Sequence, residues 1–270
     1  MYNLLALDLD GTLLNENHEI SETNKHMLYE AKKRGVKIIL ISGREPKAVK
    51  YFGNELKLNE LIAGLNGGMI TDSKAEKIFF NEFIDENLAK KVVYSVEYEN
   101  LCCVVFIGGK IFTKDKSDLR FRIFENYAVM DIGEVGKLSI FLGNESFWNK
   151  ISKILLIDDN KKLNSYKESL LSSDFMELTM QFSLPHFLEI YSGAVSKGRA
   201  LEYISKFYGI RRDQIIAIGD GENDIDMIKF AGLGVSMGNA PDIVKKSSDI
   251  VTLSNNEDGV SEIIKNFIIK

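Results

Sequence analysis

Read along its length, the chain alternates short, almost wholly apolar runs with longer stretches in which apolar residues recur every three or four positions. The run Tyr2–Leu7 predicts a strand, and a helix follows from about Ser21, with Ser21 and Asn24 as its cap, to Arg34, where Gly35 stops it. Val36–Ile41 predicts the next strand, and the helix from about Glu45 carries Pro46 in its first turn, where proline is favoured. Leu61–Leu65 and Lys77–Phe80 read as strands around Asn66-Gly67-Gly68. Strand and helix in alternation predict a parallel sheet with right-handed crossovers.

From about Phe83 the pattern changes. A helix over Glu86–Glu99, strands over Leu101–Ile107 and Lys110–Thr113 joined by Gly108-Gly109, strands over Leu138–Leu142 and Ile154–Ile157, and a helix over Lys161–Ser172 predict a smaller α+β unit. Its edge is expected at Phe182–Ile190, where Pro185 and His186 lie. The alternation then resumes with a helix over Ser196–Tyr208, strand Gln214–Ile218, helix Asp224–Phe230 and strand Gly234–Ser236. A short helix after Pro241, strand Ile250–Thr252 and a helix from about Glu257 complete it. The expected fold class is α/β, a Rossmann-like parallel sheet with helices on both faces, built from residues 1–82 and 188–270 and interrupted by an α+β insert over 83–187.

Composition narrows the function classes. With 270 residues and 45% hydrophobic content the chain has enough apolar surface for one large core or two modest ones. No apolar run approaches the ~20 residues of a membrane span, and the N-terminus enters a strand without a signal pattern, so a cytoplasmic protein with no membrane partner is expected. A net charge of −5 argues against nonspecific nucleic-acid binding, which is driven by phosphate neutralisation. It leaves room for a small phosphorylated partner met by local positive charge. Oligomeric state is not legible. Cys102 and Cys103 are adjacent, cannot pair without a strained ring, and read as reduced thiols facing opposite sides of a strand.

Candidate chemistry sits where apolar runs stop. Asp8, Asp10, Gly11 and Thr12 follow the first, and two carboxylates held that close need a cation, a shared proton or both. A hard divalent ion with oxygen ligands, Mg²⁺ foremost, is the simplest answer, since it accepts a few carboxylates plus water and substrate phosphate. A second run ends in Ser42-Gly43-Arg44, a third in Gly219-Asp220-Gly221-Glu222-Asn223-Asp224, and Ser196-Lys197-Gly198 opens a helix between them. Open parallel α/β sheets bind their ligands at the C-terminal ends of strands, so three such ends with complementary chemistry point to one site.

The set Asp8-x-Asp10-Gly11-Thr12, Ser42, Lys197 and Gly219-Asp220-x-x-Asn223-Asp224 resembles, in order, the four motifs of the haloacid dehalogenase (HAD) superfamily of phosphotransferases. The flanks Leu13-Leu14, Ser42-Gly43-Arg44, Asn66-Gly67, Ser196-Lys197-Gly198 and Glu222-Asn223-Asp224 are similar to its Cof-type branch of sugar-phosphate phosphatases. The resemblance covers essentially the whole chain and is weakest across roughly 84–187. It implies a catalytic core interrupted by a cap that closes over a small phosphorylated metabolite and selects it. It further implies Asp8 as the nucleophile that forms an aspartyl-phosphate, and Asp10 as general acid and base. Asp220 would complete a Mg²⁺ shell with Asp8 and the main-chain carbonyl of Asp10, with Asn223 and Asp224 orienting that shell or its waters.

Ser42 would offer its hydroxyl, and the amides after it at Gly43 and Arg44 their hydrogens, to the phosphoryl oxygens, with Lys197 adding positive charge. Arg44 itself has two readings of equal weight, a phosphate contact or a surface ion pair. Thr12 reads as a residue that fixes its loop. His18, His26 and His186 are too scattered for a ligand cluster, and Phe121, Phe124 and Tyr127 recur at helical spacing as core residues. Two further functions use the same residues: phosphoryl transfer to a second hydroxyl, as in a sugar phosphomutase, and non-catalytic binding of a phospho-ligand.

Overall fold

The computed structural model describes residues 2–125, 131–171 and 175–269. Its chain divides into two compact units, one formed by residues up to Phe80 together with Ser196 onward, the other by Asn81–Val195.

In the first unit, β1 (Leu4–Leu7), α1 (Glu22–Lys33), β2 (Lys37–Leu40), α2 (Pro46–Glu55), β3 (Ile62–Gly64), β4 (Met69–Thr71) and β5 (Ile78–Asn81) open the chain, β5 ending at the unit's edge. Ser21 caps α1 by accepting the Asn24 N–H, as expected, and Pro46 stands at the first position of α2. Strand β4 is an addition to the expected elements; it pairs antiparallel with β3 across the turn at Leu65–Gly67.

The second unit holds α3 (Glu86–Tyr98), β6 (Cys102–Ile107), β7 (Lys110–Thr113), α4 (Phe121–Glu125), β8 (Ile132–Glu134), α5 (Leu138–Asn144), β9 (Ile151–Ile157), α6 (Asn160–Leu171), β10 (Leu178–Leu184) and β11 (Phe187–Ser192). The first unit then resumes with α7 (Lys197–Phe207), β12 (Ile215–Gly219), α8 (Ile225–Phe230), β13 (Leu233–Ser236), α9 (Asp242–Lys245), β14 (Ile250–Val251) and α10 (Gly259–Phe267).

The central sheet of the first unit has the order β14-β13-β12-β1-β2 and is parallel throughout. Alternation along its strands feeds two cores. Leu5, Leu7, Ile38, Leu40, Ile216 and Ile218 face one layer of helices, while Leu4, Ala6, Ile39, Ile215 and Ala217 face the other. Because connections run outward in opposite directions from β1 and β12, the crevice beyond their C-terminal ends is the switch point of the sheet.

The Asn81–Val195 unit is a six-stranded sheet ordered β10-β11-β9-β6-β7-β8, antiparallel except for β7 with β8. Two expectations are corrected here. Leu138–Leu142 is helical and not a strand, because Leu138 and Leu142 are buried while Ile140 between them is 58% exposed. A period of two would have put all three on one face. The second correction concerns the boundaries, expected after residues 82 and 187. Pro185 and His186 form the turn of the β10–β11 hairpin, and β11 pairs with β9 from Phe187↔Ile157 to Ile190↔Ile154, so residues 188–195 belong to the insert. At the other crossing, the Ile84 N–H bonds Ile151 O and Ser152 Oγ bonds Asn81 Oδ1, which fastens residues 81–84 to β9.

Phe121 and Phe124 are buried, Phe124 lying edge-on to Phe187; Tyr127 and Ser172 lie outside the described residues. Cys102 and Cys103 are free and buried, and burial raises both thiols, Cys102 to about 12. Among the described residues no helix is long and apolar enough to cross a membrane.

Candidate active site

Two strand ends and one helix start build the centre of the site. Strand β1 runs out at Leu7, and the Asp8 N–H still joins the ladder to Ile218 O at 3.1 Å, so Asp8 stands at the last paired position beside β12. Beyond it the chain folds back, Leu9 O accepting the N–H groups of Thr12 at 3.2 Å and Leu14 at 2.9 Å. Gly11 takes φ +81°, and a Cβ there would lie 2.3 Å from Asp220 Oδ2. Only glycine meets both the left-handed backbone and that approach. Thr12 uses its hydroxyl to donate to Asp220 Oδ1 at 2.8 Å, which bears out its reading as a loop-fixing residue.

Strand β12 ends at Gly219 in the same way. Asp224 Oδ2 accepts the N–H groups of Asp220 at 3.0 Å and Gly221 at 2.9 Å, pinning the loop that carries Asp220. A Cβ on Gly219 would sit 2.4 Å from Asp224 Cβ, so this wrap also depends on glycine. Lys197 is the first residue of α7, whose N-cap Ser196 accepts the Arg199 N–H. Its ammonium is 1% exposed and donates to Asp8 Oδ1 and to Asp224 Oδ1, each at 2.6 Å.

The electrostatics follow from this packing. Burial raises the Asp8 carboxyl well above the usual carboxylate range; Lys197 opposes the rise and Asp224 and Asp220 add to it. Burial and Asp224 likewise lift Asp220 to about 6. For Lys197 burial disfavours the charge, but Asp224 and Asp8 outweigh it and the ammonium is held more firmly than an ordinary lysine. Two carboxylates thus grip one ammonium, and the Asp8, Asp220 and Asp224 side chains offer ligand oxygens within 4.8 Å of one another. A buried all-oxygen set with surplus negative charge, two of whose members resist ionising without further positive charge, fits a hard divalent cation.

The other sequence-selected residues flank this centre. Ile41 N–H bonds Leu7 O, which sets Ser42 on the strand end next to Asp8. Ser42 is buried; its Oγ accepts the Arg44 N–H at 3.2 Å, while its N–H goes to Ala63 O and its carbonyl accepts from Asn66. Gly43 packs over Asn66, whose Oδ1 would lie 3.0 Å from a Cβ there. Arg44 turns to Asp10, with Nε 2.7 Å from Oδ2 and Nη2 2.5 Å from Oδ1. Between its two sequence readings, the ion pair is the one seen. The Asp10 carboxylate therefore stands outside the Asp8–Asp220–Asp224 group. Asn223 donates to Asn66 Oδ1 at 2.9 Å, tying the Asp220 loop to the Ser42 loop. His18 Nδ1 lies 3.7 Å from Asp10 Oδ1.

Two contributors were given no site role by the sequence, although Asn66-Gly67 is among the flanks that carry the resemblance. Asn66, at φ +58°, joins the Ser42 loop to the Asp220 loop, and Asn239 donates to Gly11 O at 2.8 Å and reaches Asp220 Oδ2 at 3.5 Å. Both lie beside glycines, in Asn66-Gly67 and Gly238-Asn239, a signal that reads first as a turn.

The chain is similar to known proteins in sequence and in structure. Residues 5–264 match the model of a family described as haloacid dehalogenase-like hydrolase. The 5-amino-6-(5-phospho-D-ribitylamino)uracil phosphatase YcsE of Bacillus subtilis is 30% identical over 268 residues, 98% of this chain and 96% of that protein. The phosphatase YwpJ of the same organism is 29% identical over 284 residues, covering 98% and 99%. A haloacid dehalogenase-like hydrolase from Bacteroides thetaiotaomicron superposes with a TM-score of 0.88 at 32% identity, covering 98% of this chain and 99% of its own.

Proposed function

The chain belongs to the haloacid dehalogenase-like hydrolases, and from that premise we propose that it is a Mg²⁺-dependent phosphatase that passes the phosphoryl group of a small phosphate monoester first to Asp8 and then to water. The observation that carries this reading is the buried Asp8 carboxylate, held by Lys197 at 2.6 Å at the switch point of the sheet, with Asp220 and Asp224 beside it. A carboxylate serving only as a turn residue has no need of a buried ammonium.

Asp8, Asp220 and Asp224, with the main-chain carbonyl of Asp10, are the groups that would hold Mg²⁺. The ion supplies charge neutralisation for the phosphoryl oxygens and for Asp8. Lys197 orients Asp8 by one oxygen and lowers the repulsion that a phosphate dianion meets on approach. An Asp8 oxygen attacks phosphorus, the P–O bond to the substrate breaks, and Asp10 gives its proton to the departing oxygen. Water then attacks the aspartyl-phosphate, Asp10 takes the water proton, and Asp8 leaves as the carboxylate. Ser42 Oγ, already an acceptor for the Arg44 N–H, has its own hydrogen to donate to a phosphoryl oxygen, alongside the Gly43 amide. Asn223 acts by bracing Asn66 and the Ser42 loop. Choice of the leaving group falls to the Asn81–Val195 unit, which supplies no member of the acid cluster.

Phosphorylated sugars and sugar-derived metabolites form the substrate class, in keeping with the phosphoribityl compound in the name of YcsE. The test is a phosphate-release screen over sugar phosphates, nucleotides, pyridoxal phosphate and p-nitrophenyl phosphate. Turnover is expected with Mg²⁺, and none with chelator or in Asp8→Asn. An Asp8→Asn variant that keeps its turnover would overturn the reading.

A further inference from the structure

We propose that Arg44 is a positioning residue for the second half of the reaction, holding Asp10 as the proton acceptor for the attacking water and making no contact with the phosphoryl group. The inference rests on the assignment of Asp8 and Asp10 above and deepens it. Both oxygens of Asp10 accept from the guanidinium, Oδ2 from Nε at 2.7 Å and Oδ1 from Nη2 at 2.5 Å. A carboxylate held at two points by a planar fork has one orientation, whereas a free aspartate samples several. In that arrangement the group accepts hydrogens at both oxygens and keeps a lone pair on each for another donor. This suits the step in which the group must take a proton from water.

Arg44 is itself fixed. Its N–H goes to Ser42 Oγ, its carbonyl accepts from Leu65, and the guanidinium carbon lies 5.3 Å from the centre of the Phe52 ring. The side chain that grips Asp10 is thus wired at its root to the loop that carries Ser42. As a stability element the pair counts for little, because Arg44 is 29% and Asp10 45% exposed. Orientation is what the contact supplies. The two half-reactions make different demands: in the first, the Asp8–P bond forms, the bond to the leaving oxygen breaks and that oxygen takes a proton. In the second, the water oxygen bonds phosphorus, the Asp8–P bond breaks and Asp10 collects the water proton.

An aryl phosphate separates the two, because p-nitrophenolate leaves without needing a proton. With p-nitrophenyl phosphate, Arg44→Ala is expected to lower kcat on the order of 10- to 100-fold. KM should fall in proportion, so that kcat/KM stays within about twofold. A rapid burst of p-nitrophenolate, equal to the enzyme present, should precede the slow steady rate. Arg44→Lys, which keeps the charge but loses the fork, should show the same pattern more weakly and answers the question if the alanine variant does not fold. A raised KM with lowered kcat/KM and no burst would mean that Arg44 binds phosphate, and unchanged kinetics would mean a surface ion pair; either overturns the proposal. Asp8→Asn, run in parallel, tells the two claims apart. If it stays active, the covalent mechanism fails; if it is inactive and Arg44→Ala shows no burst, only the role of Arg44 fails.

Discussion

Lys197 Nζ meets Asp8 Oδ1 at 2.6 Å in a space from which water is almost wholly excluded. The same ammonium holds Asp224, so its removal leaves two buried carboxylates facing each other. Lys197→Met is expected to cost about 3–5 kcal/mol, the usual penalty for orphaning a buried charge, and to abolish measurable turnover. Urea denaturation of the metal-free protein gives the first figure. The double variant Lys197→Met, Asp224→Asn should recover part of the stability and none of the activity.

Chelation and pH act on the same carboxylates. Asp220 is lifted to about 6 by burial and Asp224, and Asp8 is raised by burial, so in the metal-free protein each binds its proton more tightly than in the unfolded chain. Their contribution to stability is present below the unfolded carboxylate range of roughly 4 and is lost as pH rises through about 6 for Asp220. A divalent cation needs the ionised forms, so it competes with those protons. The rise in melting temperature on adding Mg²⁺ should therefore be small at pH 5 and grow through pH 6 to 7.5. A rise equal at all three would contradict the ligand set.

Gly11 lets the Asp8–Thr12 loop touch the loop that carries Asp220. Gly11→Ala places a Cβ against the Asp220 carboxylate in a left-handed backbone, a conformation that alone costs roughly 1–2 kcal/mol in an L-residue. Calorimetry should find weakened Mg²⁺ binding together with a lowered melting temperature. Gly109→Ala, also at positive φ but with nothing within 4 Å of its would-be Cβ, should lower stability and leave metal affinity intact.

The insert has an acid-sensitive clasp of its own. Arg120 donates to Asp118 Oδ2 and to Asp158 Oδ2, each at 2.6 Å, and to Asn100 O at 2.8 Å. Its hydrogen bond holds Asp118 below the usual carboxylate range. Asp158 is also lowered: burial works against this, and the Asp159 N–H, Arg120 and Lys162 prevail. Such depressed groups add stability above a pH of roughly 4 and lose it as pH falls through their folded values. Arg120→Met should shift the acid transition of the insert to higher pH, followed by near-ultraviolet circular dichroism.

The elements that place the site were readable because β1 and β12 are buried throughout, and β2 from Ile38 onward, so that each appears as an apolar run. Polar residues at the ends of such runs then stand out, which is how Asp8, Ser42 and Asp220 could be found. The insert was harder. Its helix Leu138–Asn144 is short, and its first five letters, Leu138-Ser139-Ile140-Phe141-Leu142, suit either period until burial of Leu138 and Leu142 with Ile140 exposed decides for the helix, whose start Glu97 caps by accepting the Ser139 N–H. The β10–β11 hairpin hid the boundary because Pro185 and His186 make as good a hinge signal as a turn signal. Partner choice is less legible still: nothing in Ser42-Gly43-Arg44 tells whether the guanidinium will meet a phosphate or the Asp10 carboxylate 34 positions upstream.

Thr12 and Asp220, joined by a hydroxyl hydrogen bond, are separated by 208 positions in the chain. The middle of the parallel sheet, β1 beside β12, is closed across a similar span. During synthesis the first strand must wait for its neighbour on the order of tens of seconds at ordinary ribosomal rates. The intervening 81–195 segment, whose strands pair among themselves, emerges complete before then. Early folding of that segment would shorten the effective loop between the two waiting strands, so the insertion that interrupts the gene also helps its halves to find each other.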